Sequence, residues 1–410
     1  MTELGVAKVA LLDAEHRIAL ARTMNNHRIP IPDSARCDAL RIVRRSIWIV
    51  AALLMTSLHQ TADARTQNAT ASTASTLVDQ WNSRPQVIEH HPTWIFTPSK
   101  TLSNGKHGLL VVLHGCMQTH TDLKNYGNLD TLAKTRGVVV AVPFVGNQNF
   151  GGNLIHCWDY DGARDASGNM ADLVKLTEKI KADVALNIDP NQVYLVGLSS
   201  GGAIALAVGC KAPQIFAGIG AIAGPSVGSS QFLATSEPPT TNVEDAINKC
   251  KSLASSNEAA LATQITSIAY GDMDKDGPAE AFDYSNFDQS FDDSHAGQLA
   301  VVSIRWSHDN VKVLRRIYGS DALGPNQDVQ SGAATQQVAS TNGRERISLV
   351  VARNVGHAWP AGSGRANTDD GGDWIAQTGV DYPDYVVGWF LANNLRTGAS
   401  AASLHRADSP

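Results

Sequence analysis

No run of lysine and arginine stands out in the 410 residues, where 33 Lys and Arg face 39 Asp and Glu for a net charge of −6. A surface that tracks phosphates is therefore missing, which excludes nucleic acid as an expected partner. No internal repeat of solenoid or propeller length is present. No apolar stretch reaches the about 20 residues that a membrane-spanning helix needs. Cysteine is scarce, five in all, so this is not a small disulfide-stapled scaffold. At 43% hydrophobic composition the chain can bury one large core, which leaves a globular enzyme or a binding domain.

Near the amino terminus, Arg41, Arg44 and Arg45 precede Ser46 to Leu58, an apolar run of 13 residues followed by Ala62-Asp63-Ala64. That is the layout of a secretion signal, with cleavage expected after Ala64 and no membrane span remaining. Residues 1–64 are thus read as an extension plus signal, and the mature protein as secreted, extracellular or periplasmic. Removing them leaves 25 basic and 33 acidic side chains, a net charge of −8 that suits a neutral substrate. It also removes Cys37 and leaves Cys116, Cys157, Cys210 and Cys250, an even number in an oxidising compartment, so two disulfides are expected.

Residues 65–76 read as a flexible leader, 77–397 as the folded domain and 398–410 as a tail. Short apolar runs at Leu109–Leu113, Val138–Val142, Val193–Val196, Ile219–Ala223, Ile265–Ala269 and Ile347–Val351 read as buried strands. Between and after them, Met170–Val184, Gly202–Val208 and Val386–Leu395 look helical. This alternation predicts an α/β fold with a mostly parallel central sheet flanked by helices. The Ser/Thr/Pro-rich stretch Ser226–Ala262 reads as an insertion or loop.

The strand Val193–Val196 runs into Gly197-Leu198-Ser199-Ser200-Gly201 and then a helix, the strand–turn–helix context of a nucleophile elbow in an α/β-hydrolase. Ser199 must take a strained backbone there, so the residues two positions away on either side, Gly197 and Gly201, must lack a Cβ. A second G-x-S-x-G, Gly224-Pro225-Ser226-Val227-Gly228, leads into a loop instead and reads as structural or substrate-facing. After the strand Leu109–Leu113 comes His114-Gly115-Cys116, which makes the amides of Cys116 and Ser200 the expected oxyanion donors. His114 precedes the serine, where this fold does not place its base, and is assigned to shaping the loop. His295, His308 and His405 lack the context of His357, which follows Ile347–Val351 in a loop and is the expected general base. For the acid, Tyr270-Gly271-Asp272-Met273-Asp274-Lys275-Asp276-Gly277 offers three carboxylates, of which Asp274 is chosen and Asp272 and Asp276 are alternatives. The same stretch imitates a calcium loop with Asp283 in twelfth place, but it follows a strand and lacks the final Glu. No metal and no cofactor are expected.

Leu113-His114-Gly115-Cys116-Met117-Gln118, Cys157-Trp158, Gly197 to Gly202 and Gly356-His357-Ala358-Trp359 together resemble the polyhydroxybutyrate (PHB) depolymerase family of secreted serine esterases, over roughly residues 90–395. The resemblance implies that Cys116 pairs with Cys157, leaving Cys210 with Cys250, and that Trp158 and Trp359 line the cleft. It implies hydrolysis of poly(3-hydroxybutyrate) or its oligomers by Ser199, with His357 as base and Asp274 orienting it. No Thr-rich linker or second module follows residue 397, which favours soluble oligomers or amorphous polymer. Related esterases cleave feruloyl or acetylxylan esters, and some similar proteins hydrolyse poly(aspartic acid), which the charge of −8 disfavours. A catalytically silent binding protein on the same scaffold is the rival outside the enzyme class.

Overall fold

The computed structural model describes residues 78–150, 153–161, 168–230, 242–278, 282–283, 299–365 and 374–397. The expected extension, signal, leader and tail, together with Cys37, His295 and His405, lie outside the described residues. Within them, eleven strands form the central sheet: β1 Gln80–Trp81, β2 Gln86–Ile88, β3 His91–Thr97, β4 His107–Leu113, β5 Val138–Pro143, β6 Ile188–Leu198, β7 Gly218–Ile222, β8 Ile265–Gly271, β9 Gln327–Val329, β10 Ala334–Thr341 and β11 Arg344–Ala352. Their order is β1-β3-β5-β4-β6-β7-β8-β11-β10-β9, with β2 on β3.

The six strands from β5 to β11 in that order run parallel, and each contains, to within a residue, one of the six apolar runs. Burial on both faces favours such continuous Val/Ile/Leu/Ala segments. The flanks are antiparallel. Along β4 the side chains alternate: Leu109, Val111 and Leu113 enter one core, Leu110 and Val112 the other.

Helices α1 His120–Tyr126, α2 Leu129–Arg136, α3 Asn169–Ala182, α4 Ser200–Lys211, α5 Val243–Ala254, α6 Arg305–Tyr318 and α7 Tyr382–Asn393 cover the sheet. Residues of α3 to α6 share the first core, and residues of α1, α2 and α7 the second. In α3 the buried Leu173, Leu176, Thr177 and Ile180 recur at the spacing of one helical face. Helix α7 begins before Val386, because the Asp381 side chain caps the Asp384 N–H and Pro383 occupies the first turn. The expectation of an irregular Ser226–Ala262 needs correction. Asn242 caps α5, and a 3-10 helix, Ser255–Thr263, follows it. The apolar positions Ala246, Ile247, Cys250 and Ala254 give α5 a buried stripe that the polar composition upstream obscured. A disulfide from Cys210 on α4 to Cys250 on α5, Cα atoms 5.0 Å apart, joins the two helices.

Candidate active site

The carboxyl ends of β4, β6, β8 and β11 carry the loops that hold His114–Gln118, Ser199, Asp274 and His357. Between β6 and α4, Ser199 stands at φ +55, ψ −120, a conformation costly for any residue but glycine. Its N–H donates to Ile222 O at 2.8 Å. Both flanking glycines are required by contact: a Cβ on Gly197 would fall 2.3 Å from the Gly201 carbonyl, and one on Gly201 would fall 2.5 Å from His114 O. The second G-x-S-x-G passes into a turn at Val227-Gly228, with no helix in the described residues up to Ser230, and its Ser226 is buried. A Cβ on Gly224 would lie 2.7 Å from Gly202 C, so this segment packs against the start of α4.

The loop after β4 lies against the serine, since a Cβ on Gly115 would be 3.4 Å from Ser199 Cβ. Three fixings shape it. Cys116 is bonded to Cys157, with Cα atoms 4.3 Å apart. His114 Nε2 accepts the Val145 N–H at 3.2 Å, which leaves Nδ1 to donate to Gly115 O at 2.7 Å. Burial pushes His114 down to about 3, so it remains the neutral brace that its place before the serine suggests. Gln118 accepts the Gly115 N–H at 2.9 Å and donates to Trp374 O at 3.0 Å.

Of the three carboxylates, Asp274 meets the histidine: His357 Nδ1 lies 2.9 Å from Asp274 Oδ2, both side chains buried. Asp274 Oδ1 accepts the N–H groups of Lys275, Val301 and Val302, each at 2.9 Å. This locks the carboxylate in place, and its oxygens face donors instead of a cation. Asp272 accepts the Val355 N–H at 3.4 Å, and Asp276 accepts the Ser303 hydroxyl at 2.6 Å and pairs with Arg305. The acid and histidine loops are joined by their backbones, through Asp272 N–H to Ala352 O and Met273 N–H to Val355 O, both 2.9 Å. Among the described residues, no group of three or more His, Cys, Asp or Glu side chains could hold a metal ion. His308, partly buried on α6, lies 3.3 Å from the Tyr270 hydroxyl, outside this pair.

Trp158 and Trp359, expected to line the cleft, are 0% and 1% exposed. Their indole N–H groups donate to His114 O at 3.0 Å and Gly127 O at 3.1 Å. Each is wedged beneath a loop, so both serve packing and not a surface. Among the described residues, Trp374 adjoins the histidine, edge-on to His357 at 6.1 Å. No motif marked it, because a partner 17 residues away in sequence is chosen by the path of the chain.

With Nδ1 engaged by a carboxylate, an imidazole keeps Nε2 for proton exchange. Six parallel strands, a strained serine between strand and helix, an acid after β8 and a histidine after β11, in that chain order, define an α/β-hydrolase. The sequence profile of the family described as esterase PHB depolymerase matches residues 95–237. The chain is 32% identical over 310 residues to a poly(3-hydroxybutyrate) depolymerase of Ralstonia pickettii, covering 73% of this chain and 57% of that protein. It is 23% identical over 288 residues to a poly(3-hydroxyalkanoate) depolymerase C of Paucimonas lemoignei, covering 69% and 63%. The chain belongs to the PHB depolymerase family of esterases, and it spans less than two thirds of the length of these curated relatives. Among solved structures, an acetyl xylan esterase from Aspergillus awamori aligns with a TM-score of 0.48 at 15% identity, over 68% of this chain and 93% of that one.

Proposed function

We propose that the protein is a secreted serine esterase that hydrolyses a short-chain polyester, poly(3-hydroxybutyrate) or its oligomers, through an acyl-enzyme. The observation that carries this reading is the buried Asp274–His357 pair at 2.9 Å on a fold that holds Ser199 in a strained elbow. Ser199 Oγ attacks the ester carbonyl, His357 takes the proton and returns it to the leaving alcohol, and water repeats the cycle on the acyl-enzyme. Asp274 orients the imidazole and stabilises its cationic form. The amides of Cys116 and Ser200 receive the oxyanion, each contributing about 3 kcal/mol by analogy with a comparable protease. The relatives named as depolymerases support the substrate. The two disulfides support export to an oxidising compartment. Among the described residues, no helix is long and apolar enough to cross a membrane.

Acid release from amorphous poly(3-hydroxybutyrate), followed by pH-stat with wild type and Ser199→Ala, tests the proposal. Release that disappears in the variant supports it. A folded wild type that releases nothing from the polyester but cleaves aryl or acetyl esters moves the substrate to the feruloyl or acetylxylan class.

A further inference from the structure

In the loop His114–Gln118 one side chain is left without a role. His114, Gly115 and Gln118 are buried and Cys116 is tied to Cys157, whereas Met117 is 49% exposed. Its N–H donates to His156 O at 3.0 Å and its φ is +68, a region that glycine occupies without strain and other residues do not. The path of the loop alone would therefore favour glycine, and the methionine must be explained by its side chain. Position supplies the explanation. Gly115 lies against Ser199, and two trans peptide steps keep the Cα of Met117 within about 7.6 Å of the Cα of Gly115. The disulfide on one side of Met117 and the doubly bonded Gln118 on the other hold the backbone still. An exposed, flexible apolar group thus stands on a braced loop, two residues from the glycine that touches the serine.

We propose that Met117 is a specificity-determining residue that packs against the alkyl group of the acyl unit bound at Ser199, the methyl of a 3-hydroxybutyrate unit or a longer homologue. The assignment rests on the esterase reading above. An unbranched, polarizable thioether adapts to alkyl groups of different length. It favours an acyl unit that carries such a group over bare acetyl, and one methylene in an apolar contact discriminates by about tenfold or more.

The test compares kcat/KM for p-nitrophenyl butyrate and p-nitrophenyl acetate in wild type, Met117→Gly, Met117→Gln and Ser199→Ala. The butyrate-to-acetate ratio should fall about tenfold in both Met117 variants, and the melting temperature of Met117→Gly should not fall, since φ +68 suits glycine. Should the glycine variant fail to fold, the near-isosteric Met117→Gln decides by the same ratio. An unchanged ratio alongside Ser199-dependent hydrolysis overturns the role of Met117 and leaves the esterase reading standing. A wild type without Ser199-dependent hydrolysis of either ester overturns both.

Discussion

Asp272, Asp274 and Asp276 are chemically identical, and their surroundings separate them. Asp274 offers one oxygen to His357 and the other to three amides. In Asp274→Asn, a side-chain NH2 must face either the imidazole or those N–H donors. The turnover rate on a soluble ester should then fall on the order of 10⁴-fold, whereas Asp272→Asn and Asp276→Asn should stay within about tenfold of wild type, as initial rates will show. Gly271 is the second position where one atom decides. A Cβ there would lie 2.0 Å from Val355 O, so Gly271→Ala must push the acid loop away from the histidine loop. Urea unfolding should report a loss of about 3 kcal/mol or more, and activity should fall with it.

At the scale of elements, the two disulfides tie different things. Cys116–Cys157 holds the loop beside Ser199, and Cys210–Cys250 holds α5 to α4. Replacing either pair by serine should lower stability by about 2–4 kcal/mol under non-reducing conditions, but only the first replacement should lower the turnover rate. A calorimetric scan paired with a rate assay separates the two. Two histidines within two residues of Cys116 or Cys157 belong to a cluster: His114, His120 and His156 surround Phe144, and His91 and His114 flank Trp158. Burial lowers His91, pushes His114 down to about 3 and pushes His120 down to about 4. The unfolded chain therefore binds more protons than the folded one below about pH 6.5. Stability is fully present above that pH and falls as the pH drops toward 4, with a slope approaching about 1.4 kcal/mol per pH unit for the fully buried His114. Neither ring nitrogen of His120 has a partner, and the ring stacks on Phe144 at 5.0 Å. His120→Phe should raise the melting temperature more at pH 5 than at pH 7.

For the molecule as a whole, the expectation of export makes a claim about covalent structure. Mass spectrometry of the protein recovered from an oxidising compartment should find Arg65 at the amino terminus and four cysteines in two disulfides. A chain that retains residues 1–64 would sink the signal reading.

Much of this protein was legible in one dimension because the signals are local. Apolar runs such as Val138–Val142 mark strands buried on both faces, and the period of Leu173, Leu176 and Ile180 marks a helix face. Two glycines around Ser199 mark a turn that admits no Cβ. Ser199 and His357 could be singled out because strand, turn and chain order constrain them. The choice among three aspartates, the burial of Trp158 and Trp359, and the placing of Trp374 against His357 and of Gln118 between Gly115 and Trp374 were decided by the tertiary structure. Those features depend on contacts between segments as much as 256 residues apart. Contacts of that range follow from how packed strands bring loops together, which no local pattern of residue types encodes.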